Sequence, residues 1–201
     1  MRMLLALLAC LLMAACITNG KRGADAAPAV YDLGPAPAPA PAPAGRPALA
    51  LDVRAPGWLD GEGIAYRLAY AEPARRNDYS RARWAAPPAS LVRQRLGEGL
   101  GLAALGQARV RCVMRVELDE FAQVFSGPRE ARGELRARLQ ILDRGRALLA
   151  EEAFAIAKAS PSPDAAGGVA ALTGAVDELA SRAGVWRANL VAAGRLKACE
   201  E

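Results

Sequence analysis

The sequence predicts an α+β domain with two layers, in which a mainly antiparallel sheet of about five to six strands packs against two main helices. Apolar and polar residues alternate in several segments between residues 48 and 159, which is the period of half-buried strands. Apolar residues recur every three or four positions in two other segments, after Pro88 and after Pro163, as in helices that cover a core. Five or more strands covered by two helices are enough for an independent core.

Three strand patterns precede the first helix. Residues 48–54 place their apolar side chains on one face, and Pro56-Gly57 ends the pattern. Residues 64–70 repeat the alternation. Asn77-Asp78 then predicts a turn, and residues 79–84 predict a third short strand that ends with a tryptophan.

The first predicted helix opens at Pro87-Pro88, because the missing N–H of proline is tolerated in the first helical turn. Its body covers residues 91–105, and three glycines between residues 97 and 101 lower its helix propensity. No Lys-Ser or Lys-Thr follows these glycines, so they do not predict a phosphate-binding loop. The apolar stripe consists of Val92, Leu96, Leu100 and Ala103.

Two long strands are expected after this helix. Residues 110–125 alternate regularly until Asp119, after which the large apolar residues shift to Phe121 and Phe125. A one-residue bulge at that point keeps both sets on the inward face. Residues 133–141 alternate again and leave one face wet, as an antiparallel sheet allows.

A hairpin and a long helix complete the predicted domain. Residues 143–146 have the composition of a hairpin turn, which favours a strand over residues 147–159 although the composition of that segment favours a helix. Ser162 or Asp164 then caps a helix whose apolar face runs over residues 169–190. A coiled-coil seam is the alternative, but so few heptads favour a helix lying on its own sheet.

The N-terminal residues predict export and lipid attachment. Residues 1–15 combine a basic start with an apolar run too short to span a membrane, as in a signal peptide. Leu11 to Cys16 resembles the bacterial lipobox, which implies cleavage after Ala15 and acylation of Cys16. Cys10 has a similar context but leaves too short an apolar run before it. The alternative is an ordinary cleaved signal followed by a chance cysteine.

The segment that follows the anchor predicts a flexible tether. Residues 16–30 are mostly small and polar, and they bury too little apolar surface to order themselves. The segment resembles the one read by the bacterial lipoprotein sorting rule, in which an aspartate directly after the acylated cysteine retains the protein in the inner membrane. Ile17 occupies that position here, which favours the outer membrane. Residues 35–44 alternate proline and alanine, which favours polyproline II. If Tyr31-Asp32-Leu33 forms a first strand, this run is a surface loop; otherwise it lengthens the tether.

Composition argues against several function classes. The chain has 26 basic and 21 acidic residues, a net charge of +5, and its arginines are scattered, which predicts a solvated face and no nucleic-acid site. Without any histidine it lacks the commonest general base and most zinc ligands, and Lys158 near Ser160 is a weak match to a serine–lysine arrangement. We therefore expect no enzyme activity, no metal site and no cofactor. The scattered arginines are Arg75, Arg76, Arg81, Arg83, Arg93, Arg95, Arg129, Arg132, Arg136 and Arg138.

Four residues of the third predicted strand form a candidate partner interface. Aromatic and guanidinium groups alternate there, and such groups are enriched in binding hot spots. Large aromatic residues at strand spacing are equally consistent with a core, which is the competing interpretation. The four residues are Tyr79, Arg81, Arg83 and Trp84.

Two cysteines remain after signal cleavage and lipidation, namely Cys112 and Cys199. The periplasm is oxidising, which favours a disulfide between them, and the long loop it closes would contribute about 4–5 kcal/mol in the chain-entropy model. The alternative is a small core residue at Cys112 and a free thiol at Cys199.

Several short phrases follow one another along the chain in a characteristic order. They are Tyr31-Asp32-Leu33, Ile64-Ala65-Tyr66-Arg67, Tyr79 to Ala85 with Pro87-Pro88, Val116 to Phe121, Leu135 to Gly145, and the last helix up to Trp186. In this order they resemble the ABC-type transport auxiliary lipoprotein family, which accompanies mammalian-cell-entry (MCE) domain proteins. None is a catalytic signature, so the resemblance depends on their number and order. It implies a domain over residues 31–196 that starts with a strand, followed by a tail over residues 197–201; the Pro-Ala run and this tail depart from the family pattern.

The resemblance implies a non-enzymatic lipoprotein anchored to the periplasmic face of the outer membrane, an accessory of an ABC/MCE-type system that moves phospholipid between membranes. Its implied partners are an MCE-domain protein, the associated ABC transporter and the membrane that holds the anchor, with phospholipid as a candidate ligand. An envelope assembly or scaffold lipoprotein without lipid transport is the alternative, because it also needs only a tether and a binding domain.

Overall fold

The computed structural model describes residues 27–37, 49–106 and 110–199, which form eight strands in one mixed sheet with two α-helices. The strands are β1 (Ala29–Tyr31), β2 (Leu49–Arg54), β3 (Gly63–Leu68), β4 (Arg76–Trp84), β5 (Ala103–Ala104), β6 (Cys112–Phe125), β7 (Ala131–Leu142) and β8 (Leu148–Ala159). The helices are α1 (Pro88–Leu100) and α2 (Ala165–Ala192), and two short 3-10 helices cover Gly57–Leu59 and Lys197–Cys199. The α+β class is as predicted, and the sheet is larger than the five to six strands expected.

Strand β6 is the centre of the sheet. The antiparallel hairpin partner β7 pairs along its whole length, and β8 pairs antiparallel with β7. The other edge of β6 is shared by two strands, with β2 beside Cys112–Glu117 and β3 beside Gln123–Phe125, both parallel to it. Four of the seven strand pairings are parallel, but they are short, and most paired residues lie in the three antiparallel ladders, so the expectation of a mainly antiparallel sheet holds by paired length. Alternation identifies a strand but carries no information about the direction of its neighbour.

The short edge strands and one turn differ from the prediction. Strand β1 begins at Ala29, two residues before the expected domain boundary, and pairs parallel with the end of β4. The two-residue strand β5 had no sequence signal. Asn77 and Asp78 lie inside β4, where they pair with Tyr66 and Ala65, so the turn predicted there is wrong. The chain reverses over residues 69–75 instead, because cross-strand pairing outweighs the turn preference of Asn and Asp.

Helix α1 ends five residues earlier than predicted. It begins at Pro88 and stops at Leu100, after which Gly101 adopts a left-handed conformation with φ of +62°. Glycine accepts this conformation without the penalty a Cβ imposes, so Gly101 terminates the helix. Helix α2 begins after Asp164, whose carboxylate accepts a hydrogen bond from the Gly167 N–H at 2.8 Å. This confirms one of the two predicted caps.

The core lies between the helices and one face of the sheet. Helix α2 packs on β6, β7 and β8, and α1 packs on β2 and α2. The predicted bulge in β6 is confirmed, because the pairing with β7 shifts between Leu118 and Glu120. Leu118 before the shift and Phe121 after it are both buried, so the bulge keeps both halves of β6 against the helices.

The opposite face of the sheet carries paired charges. Glu120, with a 7% exposed side chain, accepts hydrogen bonds from Arg67 at 3.2 Å and Arg136 at 3.4 Å. Further along this face, Glu117 pairs with Arg138. This wet face follows the predicted alternation of β7. Neither helix in the described part of the chain is long and apolar enough to cross a membrane.

Candidate functional site

A shallow groove of about 430 Å³ lies where β1, β4 and the start of α2 meet. Tyr79 and Arg81, two of the four predicted interface residues, line it together with Ala29 and Asp164. The described chain enters the domain at this groove, since β1 begins at Ala29. The groove therefore lies beside the point from which residues 16–28 lead back toward Cys16.

Tyr79 forms one wall of the groove as a neutral hydrogen-bond donor. Its ring centroid lies 4.8 Å from that of Tyr66, and its hydroxyl donates to Gln123 Oε1 at 2.7 Å. Burial, followed by the nearby Asp164 carboxylate and Tyr66, raises the pKa of Tyr79 to about 12. A phenol with this pKa stays protonated at neutral pH, so Tyr79 supplies shape and a donor and does not act as a base.

Gln123 connects the groove to the start of α2. It is fully buried on β6, accepts from Tyr79, and donates through Nε2 to Ser160 Oγ at 3.1 Å and to the Ser162 carbonyl at 3.4 Å. A fully bonded buried amide holds its neighbours in one arrangement, because breaking any bond leaves an unsatisfied polar group. This network therefore holds Tyr79, one wall of the groove, in a single position.

Trp84 does not belong to an exposed interface, which corrects part of the prediction. It is fully buried, and its ring lies 5.7 Å from that of Phe121. The pairing of β3 with β4 shifts between Gly63 and Ala65, so strict alternation fails along β4 and both Tyr79 and Trp84 turn inward. The competing interpretation, that large aromatic residues of this strand belong to the core, is therefore correct for Trp84.

The two interface arginines stay exposed but face different neighbours. Arg81 lines the groove and forms no ion pair with a carboxylate of the described residues. Arg83 forms an ion pair with Glu62, close to the backbone bond from Trp84 N–H to the Glu62 carbonyl. A candidate contact surface at this edge is therefore formed by Arg81, Arg83 and the exposed side of Tyr79.

Arg95 is buried, contrary to the solvated role expected for the scattered arginines. Its guanidinium is bidentate to Asp177 on α2, and Nη1 donates to the carbonyls of Leu33, Gly34 and Pro35. Residues 33–35, which follow β1, are thereby held against both helices. A single arginine buried in this way has no sequence signal, because its neighbours in space are distant in the chain.

Trp58 is an exposed aromatic residue that was not among the predicted site residues. Its side chain is 63% exposed in the 3-10 helix between β2 and β3. It borders a hollow of about 270 Å³ beside Pro56 and Asp119, next to the β6 bulge. Pro56-Gly57 indicated only the end of a strand, and nothing in the local sequence indicated that Trp58 is exposed. Binding hot spots are enriched in tryptophan.

The sulfur atoms of Cys112 and Cys199 lie 2.03 Å apart and join the start of β6 to the C-terminal 3-10 helix. The disulfide between them is the pairing predicted above, and a thiol titration tests it. Cys16, the cleavage position after Ala15 and residues 38–44 of the Pro-Ala run lie outside the described residues. Among the described residues, no three acidic or sulfur ligands cluster to hold a metal ion.

Comparison with known structures shows the same fold. Protein XCC0632 from Xanthomonas campestris, of the DUF330 family, is similar with a TM-score of 0.65 and 18% identity, over 78% of this chain and 93% of that one. An uncharacterized protein of known crystal structure is similar with a TM-score of 0.64 and 14% identity, over 79% of this chain and 97% of that one. No curated protein matches the sequence.

The sequence itself identifies the family. Residues 31–183 match the family described as the ABC-type transport auxiliary lipoprotein component. This range runs from the last residue of β1 to the second half of α2. It includes every groove residue except Ala29, the Arg95–Asp177 pair and all of β6. The chain therefore belongs to the ABC-type transport auxiliary lipoprotein component family.

Proposed function

We propose that this protein is a non-enzymatic lipoprotein of the outer membrane that docks an MCE-type ABC transport system and assists phospholipid movement between the two membranes. The observation that carries the proposal is the family match over residues 31–183, an auxiliary component of ABC-type transport. The lipobox-like segment ending at Cys16 supports membrane anchoring, and Ile17 supports the outer membrane.

The contact surface proposed for the transporter partner is the groove edge formed by Tyr79, Arg81 and Arg83. Arginine and tyrosine supply planar donors and aromatic area, which suit a partner surface with carboxylates. The Gln123 network below holds Tyr79 in place before any partner arrives, which lowers the ordering cost of binding. Residues 17–28 between the anchor and the groove span at most about 40 Å, so this edge stays near the membrane that holds the lipid.

The test is co-purification of the full-length lipoprotein with an MCE-domain protein from detergent-solubilised envelopes. The paired change Arg81→Glu with Arg83→Glu should reduce recovery of the MCE protein at least about tenfold, because two attractions become repulsions. Arg144→Glu is the matched control, since this exposed arginine in the β7–β8 turn lies far from the groove. Equal recovery with both variants would reject this surface while leaving the docking itself supported.

Phospholipid transfer between the membranes separates the proposed function from the scaffold alternative. Loss of the lipoprotein should slow the movement of labelled phospholipid, and the wild-type chain should restore it. An envelope in which the MCE protein never co-purifies and lipid movement is unchanged would indicate an assembly or scaffold lipoprotein instead.

A further inference from the structure

Strand β8 leaves a long edge of the sheet open. It pairs with β7 over twelve residues, and no other described strand pairs with its second edge. An unpaired strand of this length is a template for another strand, and proteins usually protect such edges with proline, bulges or inward charges. Residues 149–159 contain no proline, and the register with β7 shifts only near Leu148.

The hydrogen bonds between β7 and β8 determine which backbone groups of β8 face the open edge. The Ser160 N–H donates to the Ala131 carbonyl at 2.8 Å, so residues of even number in this part of β8 bond to β7. The odd residues from Glu151 to Ala159 therefore present their N–H and C=O groups at the open edge. At the other end, Arg195 Nη2 donates to the Leu149 carbonyl at 2.7 Å and covers the first part of the edge.

On the solvent-exposed face of β8, the side chains from residue 153 to residue 159 are small. Ala153, Ala155, Ala157 and Ala159 are all exposed there, so a second strand can approach without a steric obstacle. On the helix face, the charged residues are Glu152 and Lys158, and Lys158 already pairs with Glu178 of α2. On the helix face, the edge therefore carries one acid and one base, six residues apart, and such inward charges disfavour pairing with a strand that lacks complementary charges.

These two charges are complementary in one antiparallel register. When two β8 strands pair around Ala155, each Glu152 lies opposite the Lys158 of the other copy, and each Ala153 lies opposite Ala157. The odd residues then meet as hydrogen-bonded pairs, as their outward backbone groups require. A shift by two residues in either direction places Glu152 and Lys158 opposite uncharged side chains.

We propose that two copies of this chain associate through their β8 edges, in an antiparallel register centred on Ala155, and form one continuous sheet across a twofold axis. The interface satisfies backbone groups from Glu151 to Ala159 of both copies and adds two Glu152–Lys158 ion pairs. The proposal is independent of the transport function.

Single cysteines in the full-length lipoprotein test the register. In an antiparallel hydrogen-bonded pair the two Cα atoms are about 5.5 Å apart, within the range of a disulfide, so Ala155→Cys should form a dimer on oxidation. Ala153→Cys and Ala157→Cys are matched controls, because each residue lies about 14 Å from its own copy. Neither should crosslink alone, and a mixture of the two should crosslink to each other.

A charge reversal tests the ion pairs. In the Ala155→Cys background, Glu152→Lys should weaken dimerisation about fivefold or more, because two attractions become repulsions. Glu151→Lys changes charge equally on the other face and should leave the dimer intact. Equal crosslinking of all three cysteine variants, a dimer insensitive to Glu152→Lys, or crosslinks only to a different protein would overturn the proposal.

Discussion

The guanidinium of Arg95 on α1 is bidentate to the carboxylate of Asp177 on α2, with Nε–Oδ1 and Nη2–Oδ2 distances of 2.7 and 2.8 Å. The remaining nitrogen binds three successive backbone carbonyls of residues 33–35. One side chain thus connects both helices with the segment that leads from β1 into the Pro-Ala run. Because Arg95 is 7% exposed, its loss would leave several acceptors without a donor.

The first prediction concerns these contacts of Arg95. Arg95→Ala should lower the free energy of unfolding by about 3 kcal/mol, since a largely buried pair loses one partner. It should also make residues 27–37 a faster target for limited proteolysis. Arg93→Ala, an exposed position on the same helix, should change stability by less than about 0.5 kcal/mol. Denaturant unfolding of both variants is the measurement, and similar losses would contradict the role given to Arg95.

The second prediction concerns the contact between Gly168 and Gln123. A Cβ at Gly168 would lie 2.6 Å from Gln123 Oε1, and Gln123 cannot move without breaking its hydrogen bonds. Gly168→Ala should therefore destabilise the protein by about 1–3 kcal/mol despite its better helix propensity. Gly174→Ala, where the nearest atom is 3.9 Å away on Lys158, should be neutral or stabilising by up to about 1 kcal/mol. Thermal unfolding distinguishes the two.

The third prediction is the alkaline titration of Tyr79. Its pKa in the folded protein is raised to about 12 from an ordinary 10.0, so the stability it contributes is present below pH 10 and is lost as the pH rises toward 12. Ultraviolet difference absorbance should show one of the four tyrosines ionising last. Tyr79→Phe should remove this late step and flatten the fall in stability above pH 10. A titration in which the last step persists in this variant would assign it to another tyrosine.

The fourth prediction is that Cys112 and Cys199 form a disulfide. Their separation of 87 residues closes a long loop, which predicts about 4–5 kcal/mol of stabilisation in the chain-entropy model. A soluble chain that begins at Ile17, and so lacks Cys10 and Cys16, should show no free thiol when unfolded without reductant. Two reactive thiols per chain would reject the pairing. The double change Cys112→Ser with Cys199→Ser should lower the unfolding midpoint in denaturant.

The fifth prediction is that Cys16 carries the lipid. Cys16→Ser should abolish fatty-acid labelling and leave the unprocessed precursor, because thioether formation at this cysteine precedes cleavage. Wild-type protein should fractionate with the outer membrane. Labelling that persists in Cys16→Ser and disappears in Cys10→Ser would show that Cys10 is the acylated residue.

The sequence by itself determined the elements whose signals are local. Alternation identified the long strands β6 and β7, and the hairpin turn at residues 143–146 identified β8. The shift of the large apolar residues to Phe121 predicted the bulge that keeps the apolar side chains of both halves of β6 in the core. The cap at Asp164 was predictable because its acceptor and donor are three residues apart. The predicted helix α1 was too long because the real helix ends at Gly101 through a left-handed backbone conformation. The spacing of the apolar residues does not indicate this conformation.

Only the tertiary structure decided which strands become neighbours and which charged or aromatic residues are buried. Strands β2 and β3 lie parallel to β6 along the same edge because of how the chain crosses between them. The alternation of apolar and polar residues in a strand does not indicate such crossings. Trp84 and Arg95 are buried while Trp58 is exposed, although residue type alone favours the opposite for Arg95 and Trp58. Burial results from contacts between segments far apart in the chain, such as residues 95 and 177, and local patterning carries no information about them.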